Sequence, residues 1–195
     1  MLTVEDSFGE VSTSDALLRF YLQGLTSGIQ VTASLVSRSG QALDSKSSSN
    51  QISWPEDKQL LAALRRNAEL VLTTGATARA ENLRMPKTAK LAVISNSGDL
   101  SDTRLDPTDP NLMILSGHGD SCEYIDHLAS LGYKRMHVEY GPSTMVRALG
   151  SGRIDLLVDS FIDKSFLEEF APMAVLSLKL GPGFLRLVAF GVATD

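Results

Sequence analysis

Apolar residues recur along the chain at the spacings of short helices and short strands. Helical spacing predicts helices over 14–23, over 53–67, from 120 to a stop at Gly132, and from 141 to a stop at Gly150. Runs of β-prone residues predict strands over 29–36, 69–73, 90–95, 111–116, 134–140, 154–161, 174–180 and 184–190. We expect the strand over 111–116 to be buried, the polar segment 37–51 to be a loop, and the segment 74–88, rich in small and charged residues, to lie outside the core.

The order of these elements predicts the fold class. Between 111 and 161 strands alternate with helices so short that they can only be crossovers between parallel strands. The last two strands flank the Gly181-Pro-Gly183 hairpin signal. We therefore expect an α/β protein with a mixed, mostly parallel sheet, helices on both faces and an antiparallel C-terminal hairpin. The 195 residues are ample for one buried core, so we expect a single domain over 1–195.

Composition and charge argue against several classes of function. The formal net charge of −5 provides no global attraction to nucleic acid or to a membrane surface, so neither is an expected partner. The three histidines and Cys122 do not have the spacing of metal ligands, so no metal is expected. The N-terminus does not resemble a leader, and no apolar run reaches the roughly 18 residues of a membrane span. We expect a cytoplasmic protein.

Two segments at predicted strand ends are candidates for ligand binding, because open α/β sheets bind ligands beyond the carboxyl ends of their strands. The residues YGPST around Gly141 open a helix with a glycine, a first-turn proline and two hydroxyls. Such an N-terminus attracts phosphate, although similar residues also begin helices that bind nothing. The run TGATAR has two interpretations. It is either a turn that surrounds the phosphates of a nucleotide, with Arg79 or the nearby Arg84 as hydrogen-bond donor, or a flexible loop with solvated arginines.

Four titratable residues near these segments have alternative interpretations. Glu139 ends the strand before Gly141, where burial would raise the pKa of its carboxyl and suit it to proton transfer. A strand-end carboxylate bonded to backbone would be equally consistent with the pattern. His137 lies deeper on the same side of the strand, and this position favours a core histidine. We interpret Asp155 and Asp159 as charges at a surface or an edge.

Several segments, taken in order, resemble a known family. They are TASL, ISWPEDKQLLAALRRNAELVLTTGATARAENL, KLAVIS, MHVEYGPSTMVRAL and GRIDLLV. Over about 14–192 the chain is similar to the C-terminal reductase domain of bifunctional riboflavin-biosynthesis proteins, and to the dihydrofolate-reductase-like pyrimidine reductases of actinobacteria. The strongest likeness lies in 64–81, where the family has a VLVGAGTVRAE-like run, and in 138–144, where it has VEGGP.

The resemblance implies a dihydrofolate-reductase-like fold, a homodimer, and NADPH as the hydride donor to a phosphorylated ribosylamino-pyrimidine. By matching position, it implies cofactor contacts for Thr74, Gly75, Ala76, Thr77, Ser95, Gly141, Pro142, Ser143 and Thr144. It also implies catalytic roles for Glu139 and Glu81, and substrate contacts for Ser34 and Arg79, with Asp44 replacing a family carboxylate. The expected function is NADPH-dependent reduction of a pyrimidine-type or related small heterocycle.

The chain also departs from the pattern of this family. Val36 stands where the family's SLDG motif has its aspartate, and Thr74 and Ala76 stand where two glycines are usual. Tyr140 replaces the first glycine after Glu139. A pyrophosphate has to come close to the backbone of these turns, and side chains larger than glycine would narrow the space that it needs. They favour an alternative in which the protein is a catalytically degenerate, nucleotide-binding or regulatory dimer.

Overall fold

The computed structural model describes residues 28–42, 48–117 and 120–190. The predicted helix over 14–23 and the candidate Asp44 lie outside these residues. The strands are β1 (Gln30–Arg38), β2 (Gln41–Ala42), β3 (Leu70–Thr74), β4 (Lys90–Ile94), β5 (Leu112–Leu115), β6 (Arg135–Glu139), β7 (Leu156–Ile162), β8 (Ala174–Leu180) and β9 (Gly183–Ala189). The helices are α1 (Pro55–Asn67), α2 (Gly75–Ala80), α3 (Glu123–Ser130) and α4 (Pro142–Gly150), with 3-10 segments at Ser49–Gln51 and Glu168–Met173.

The strands form one mixed sheet in the order β5-β4-β3-β6-β1-β7-β9-β8, and β2 pairs with the end of β1. Every neighbouring pair from β5 to β7 is parallel. The pairs β7–β9 and β9–β8 are antiparallel, and the latter is the hairpin expected around Gly181-Pro-Gly183. The predicted fold class is confirmed: a dihydrofolate-reductase-like α/β architecture with an antiparallel C-terminal hairpin.

Helices cover both faces of the sheet because alternate strand residues point to opposite sides. On one face, α3 and α4 pack on the strands through apolar residues that include Ile125, Leu128, Met145, Val138 and Leu157. On the other face, α1 packs through Leu60, Ala63 and Leu64 against residues of β7, β8 and β9. Polar residues of the central strands, among them Thr32, His137 and Glu139, share this second face, where the site is built.

Helix α1 begins differently from the prediction. Ser53 and Glu56 have the spacing of a capping box, but the residue at the N-cap position is Trp54, and no side-chain cap bond is formed there. The indole of Trp54 is 5% exposed and packs beneath the hairpin. A Cβ at Gly183 would lie 2.5 Å from Trp54 Cη2, so the hairpin needs glycine to approach α1. Helix α1 therefore begins at Pro55, a residue suited to the first helical turn, with the buried Trp54 directly before it.

Three expectations about burial are wrong. The segment 111–116 was expected to be a buried strand, but β5 is at the sheet edge and Ile114 is 39% exposed. The segment 74–88 was expected outside the core, but it contains α2, and Ala78 and Leu83 are buried. Part of 37–51, expected to be a loop, belongs to β1 and β2 and is buried at Ser37, whose Oγ accepts a hydrogen bond from Phe166 N. The burial of these three segments depends on the position of a strand in the sheet and on how small residues pack. The hydropathy of the sequence contains neither.

Asp155 and Asp159 are not surface charges. Asp155 is half-buried and accepts a hydrogen bond from Val31 N at 2.7 Å. Asp159 is fully buried, accepts a hydrogen bond from Ser165 Oγ at 2.7 Å, and lies 3.8 Å from Arg186 Nη1. Burial raises the pKa of Asp159 to about 6, against the bond from Ser165 and the charge of Arg186. The pattern of β7 alone contains no sign of Arg186, which comes from the neighbouring strand β9.

Candidate functional site

A cleft of about 900 Å³ opens at the carboxyl ends of β1, β3, β6 and β7, beside α1. This volume is within the range of about 300–1,000 Å³ that is typical of small-molecule sites. The residues that line the cleft include Ser34, Val36, Ser53, Asp57, Leu60, Leu61, Leu64, Arg65, Thr74, Ala76, Thr77, Glu81, Arg84, Arg104, Glu139, Tyr140, Gly141, Pro142, Ser143, Thr144 and Ser160. Most of the predicted site residues are therefore brought to one cavity.

The start of α4 faces this cleft. Gly141 is the N-cap residue in an extended conformation, Pro142 occupies the first turn, and no side chain of the described residues caps the helix. Ser143 and Thr144 complete the exposed turn within the cleft wall. Because the first N–H groups of a helix have no intrahelical acceptors, this turn offers donors and a positive dipole end to an anion.

The second predicted segment lies directly beside the first. A Cβ at Gly141 would lie 3.4 Å from Thr77 Oγ1, so the two turns are in contact across the cleft. Thr74 ends β3 and its Oγ1 accepts a hydrogen bond from Thr77 N at 3.2 Å, which caps α2. Thr74, Ala76 and Thr77 line the cleft as one small-residue ridge.

Gly75, Ser95 and Arg79 lie behind this ridge. A Cβ at Gly75 would be 3.1 Å from Ser95 Oγ and 3.3 Å from Arg79 Nη1. Arg79 Nη1 donates to Asp99 O at 2.9 Å, which directs its guanidinium to the loop after β4. None of the three is among the residues that line the cleft, so Gly75 serves the packing of α2 on β4 in this structure.

Tyr140 is among the residues that line the cleft, but its phenol hydroxyl is directed into the core. The side chain is 3% exposed and belongs to the core cluster beneath α3 and α4. Its hydroxyl donates to Ser121 O at 2.9 Å, on the opposite side of the sheet from the site. Burial raises the pKa of Tyr140 well above its usual value, so the phenol stays neutral. The expected narrowing of the site by this side chain is therefore wrong.

Glu139 is held as an anion by Arg65, a residue that the sequence analysis did not select. Arg65 Nε and Nη2 donate to the two carboxylate oxygens, each at 2.6 Å. Burial raises the pKa of Glu139, but the bonds and charge of Arg65 outweigh it and hold the pKa below its usual value. The expected net rise of this pKa is wrong, because Arg65 lowers it, and the pattern around Glu139 contains no sign of a partner that lies 74 residues away on α1.

His137 is a buried, neutral residue of the core, as its position predicted. Its Nδ1 lies 2.9 Å from Thr32 Oγ1, and its Nε2 lies 3.1 Å from Ser34 Oγ and 3.6 Å from Glu139 Oε1. Burial lowers the pKa of His137 to about 4, despite the nearby charge of Glu139. The contact with the neutral imidazole of His137 holds the hydroxyl of Ser34, a residue that lines the cleft.

Glu81 also lines the cleft, but its carboxylate is bonded to the segment that precedes α1. Ser48 Oγ and Ser49 N each donate to it at 2.7 Å. These bonds tie the end of the 37–51 segment to the C-terminus of α2. Glu81 therefore lies at the cleft with its carboxylate hydrogen-bonded to the segment that precedes α1.

Asp57 is a second cleft residue that the sequence analysis missed. It lies in the first turn of α1, is 8% exposed, and accepts hydrogen bonds from Ser160 and Ser53. Burial raises the pKa of its carboxyl, against these bonds and the charge of Lys58. A signal was present in the sequence: Asp57, Leu60, Leu64 and Arg65 recur at helical spacing and so share one face.

Among residues 28–42, 48–117 and 120–190, no group of three or more His, Cys, Asp or Glu side chains is arranged to hold a metal ion. In the same ranges, no helix has the length and apolar character that crossing a membrane would take.

Solved structures share the fold of this chain. A pyrimidine reductase-like protein from Corynebacterium diphtheriae matches with a TM-score of 0.68 at 15% identity, over 91% of this chain and 98% of its own. The riboflavin biosynthesis reductase Rib7 of Saccharomyces cerevisiae matches with a TM-score of 0.61 at 12% identity, over 89% and 99%. Comparisons with known family patterns and with curated proteins give no match.

A third structural match is a two-activity protein of Thermotoga maritima, described as a diaminohydroxyphosphoribosylaminopyrimidine deaminase and 5-amino-6-(5-phosphoribosylamino)uracil reductase. It aligns with a TM-score of 0.58 at 14% identity over 89% of this chain. The present chain spans 59% of that protein's length. At these identities the matches establish the fold alone.

Proposed function

We propose that this protein is an NADPH-dependent reductase of a pyrimidine-type or related small heterocycle. The observation that carries the proposal is the uncapped start of α4 at Gly141, which opens into a cleft of about 900 Å³ beside the ridge of Thr74, Ala76 and Thr77. The structural neighbours include a pyrimidine reductase-like protein and two reductases of riboflavin biosynthesis, and this supports the same class of reaction.

The residues at the starts of α4 and α2 are suited to bind the phosphates of a dinucleotide. Gly141 has no side chain, and the N–H groups and hydroxyls of Ser143 and Thr144 suit a phosphate at the start of α4. Thr77 faces the same space from α2. When bound, NADPH would supply the hydride, and these residues would hold its phosphates and orient it.

The remaining walls suit a flat, partly polar ligand. Leu60, Leu61 and Leu64 of α1 give the cleft an apolar wall. Ser34 and the anionic Glu139 offer hydrogen-bonding groups on the opposite, strand side. Because hydride transfer depends mainly on orientation, an apolar wall with a few fixed polar groups is the arrangement that this reaction needs.

The alternative, a catalytically degenerate nucleotide-binding or regulatory dimer, keeps one specific observation in its favour. Val36 lines the cleft where the family motif places an aspartate, so that wall lacks a carboxylate. The objection from Tyr140 no longer applies, because its phenol lies in the core. The two proposals differ in a single measurable property, which is substrate-dependent oxidation of NADPH.

The first experiment is a calorimetric titration of the protein with NADPH and with NADH. We expect micromolar binding of NADPH, and loss of this binding in Gly141→Asp through steric clash and charge repulsion. Gly150→Asp is the matched control, because it adds the same charge at the far end of α4, where nothing lies within 4 Å of its Cβ. Equal binding by wild type and Gly141→Asp would contradict the assignment of the cofactor site.

Turnover decides between the two proposals. The substrate probe is 5-amino-6-(5-phosphoribosylamino)uracil, the compound named for the Thermotoga maritima protein. Oxidation of NADPH that requires this compound, and that is lost in Gly141→Asp, would support the reductase. Micromolar binding of NADPH with no turnover of this or related pyrimidines would support the non-catalytic alternative.

A further inference from the structure

The acceptor ring of the proposed reaction needs a surface that fixes its plane in the cleft. Hydride transfer depends on holding the acceptor carbon against the nicotinamide, so a wall that orients the ring contributes directly to the rate. Aromatic side chains are suited to this task, because two flat rings attract each other in an offset stack. The assignment of such a wall rests on the proposed function.

Among the described residues that line the cleft, two are aromatic, Tyr140 and Phe166. The side chain of Tyr140 is 3% exposed, and its hydroxyl donates to Ser121 O on the far side of the sheet, so its ring is committed to the core. Phe166 follows β7 and is only half-buried, so part of its ring remains open. Phe166 is therefore the aromatic side chain that these residues offer to a ligand.

Buried hydroxyl groups fix the backbone on both sides of Phe166. Phe166 N donates to Oγ of the buried Ser37 at 3.0 Å. Ser165 Oγ is also buried, donates to Asp159 Oδ2 at 2.7 Å, and accepts a hydrogen bond from Leu167 N at 2.8 Å. Leu167 is inaccessible to solvent and belongs to the core. These contacts hold Phe166 at one position in the cleft wall.

The segment that contains Phe166 is also bonded to the end of β1. Ser39 N donates to Ile162 O at 2.9 Å, and Gly40 N donates to Lys164 O at 2.8 Å. Gly40 lines the cleft together with Phe166. This part of the wall is therefore built jointly by the end of β1 and the segment after β7.

This wall is separate from the turns that are suited to bind phosphate. Those turns follow β3 and β6, whereas Phe166 follows β7, and β1 lies between β6 and β7 in the sheet. Because neighbouring strands are about 4.8 Å apart, the end of β7 is roughly 10 Å from the end of β6. A ring at Phe166 and a cofactor phosphate at the start of α4 would therefore occupy different parts of the same cleft.

We propose that Phe166 is a specificity-determining residue, on which the flat ring of the reducible heterocycle stacks. The substrate class that it selects is a planar, unsaturated ring, because an open-chain carbonyl compound would gain nothing from stacking. The alternative occupant of this wall is the nicotinamide ring of the cofactor. The experiments below distinguish the two occupants.

Three variants separate ligand contact from packing. Phe166→Leu keeps an apolar side chain but removes the ring, and Phe166→Tyr keeps the ring. Phe170→Leu is the matched control, because Phe170 lies four residues further along, packs edge-on against Phe190 at 5.9 Å between ring centroids, and does not line the cleft. A purely structural role for Phe166 would lower the melting temperature in Phe166→Leu and leave ligand binding unchanged.

The first readout does not depend on turnover. Fluorine spectra of protein labelled with 4-fluorophenylalanine report on the seven phenylalanines, and the resonance of Phe166 is identified by its absence from Phe166→Leu. We expect this resonance to shift on addition of 5-amino-6-(5-phosphoribosylamino)uracil, while that of Phe170 does not. A Phe166 resonance that shifts with NADPH and not with this compound would overturn the proposal, because the nicotinamide would then occupy the wall.

The second readout is steady-state turnover of the same compound with NADPH. In Phe166→Leu we expect the KM for the compound to rise by about tenfold, while kcat and the KM for NADPH change less than about threefold. Phe166→Tyr should remain within about threefold of wild type, and Phe170→Leu should behave as wild type. An unchanged KM for the compound in Phe166→Leu overturns the role of Phe166 and leaves the reductase intact.

Failure of the proposed reductase has a different signature. A wild-type protein that binds the compound without oxidising NADPH overturns the reductase, and the fluorine titration then decides the role of Phe166 by itself. A wild-type protein that does not bind the compound overturns both. Thermal unfolding of each variant, measured beside both readouts, confirms that the variants compared are folded.

Discussion

Arg65 and Glu139 are joined by two hydrogen bonds of 2.6 Å that connect the middle of α1 to the end of β6. The side chains are 28% and 13% exposed, so the pair is largely withdrawn from water. This contact keeps the cleft carboxylate of Glu139 ionised, and it fastens α1 over the polar strand residues. The site and the stability of the fold therefore depend on the same pair.

Removal of Arg65 should destabilise the protein strongly. Arg65→Gln leaves the charge of Glu139 buried without its partner, and we expect the free energy of unfolding to fall by about 3 kcal/mol. Urea unfolding at pH 7 measures this change. In the double variant Arg65→Gln with Glu139→Gln, both charges are absent and most of the loss should be recovered. Additive losses in the double variant would show that the two side chains do not interact.

The buried side chains of His137 and Asp159 should make opposite contributions to the pH dependence of the free energy of unfolding. The pKa of His137 falls from its ordinary 6.5 to about 4 on folding, so the unfolded chain binds more protons between these values. Its contribution is complete above pH 6.5 and is lost as the pH falls to about 4. The pKa of Asp159 rises from 3.8 to about 6, so its contribution is complete below 3.8 and is lost as the pH rises to about 6.

Each contribution is on the order of 3 kcal/mol, so the wild-type profile between pH 4 and 6 should be shallow. Single variants should uncover the separate slopes. Asp159→Asn should lose stability more steeply than wild type as the pH falls from 6.5 to 4, because Asp159 then no longer offsets the contribution of His137. His137→Asn should gain stability over the same range. Urea unfolding in steps of half a pH unit measures both, with His127→Gln as the histidine control.

Gly75 should be required for packing and not for ligand binding. An added methyl group would lie 3.1 Å from Ser95 Oγ and 3.2 Å from Ser95 Cβ, so Gly75→Ala should destabilise the protein by about 1–2 kcal/mol. Gly75→Ala combined with Ser95→Gly should relieve the clash. NADPH affinity of the folded single variant should change less than threefold. Gly150→Ala is the control, because nothing lies within 4 Å of that Cβ.

The hydroxyl of Tyr140 should matter for stability but not for the cleft. Tyr140→Phe removes the bond to Ser121 O at 2.9 Å and leaves that carbonyl without this donor. We expect a loss of about 1 kcal/mol in the free energy of unfolding and an unchanged affinity for NADPH. A gain of more than tenfold in affinity would indicate that the phenol does obstruct the site.

The sequence by itself determined the order of the elements and the class of the fold. Periods of two and of three to four residues are local properties, so β6, α4 and the hairpin of β8 and β9 were predicted to within two residues. Local turn chemistry likewise identified the segments at Thr74 and Gly141, which the sheet brings into contact. Such features are encoded by neighbours along the chain.

Only the tertiary structure decided the electrostatics of the site. The pKa of Glu139 is lowered by Arg65, that of Asp57 is raised by burial, and the phenol of Tyr140 lies across the sheet at Ser121. Burial and charge pairing depend on distances in space between residues that are far apart in sequence, and these energies change steeply over a few ångströms. The pattern of residues along the sequence does not contain these distances. The fold class could therefore be predicted from the sequence, and the pKa shifts and side-chain contacts of the cleft could not.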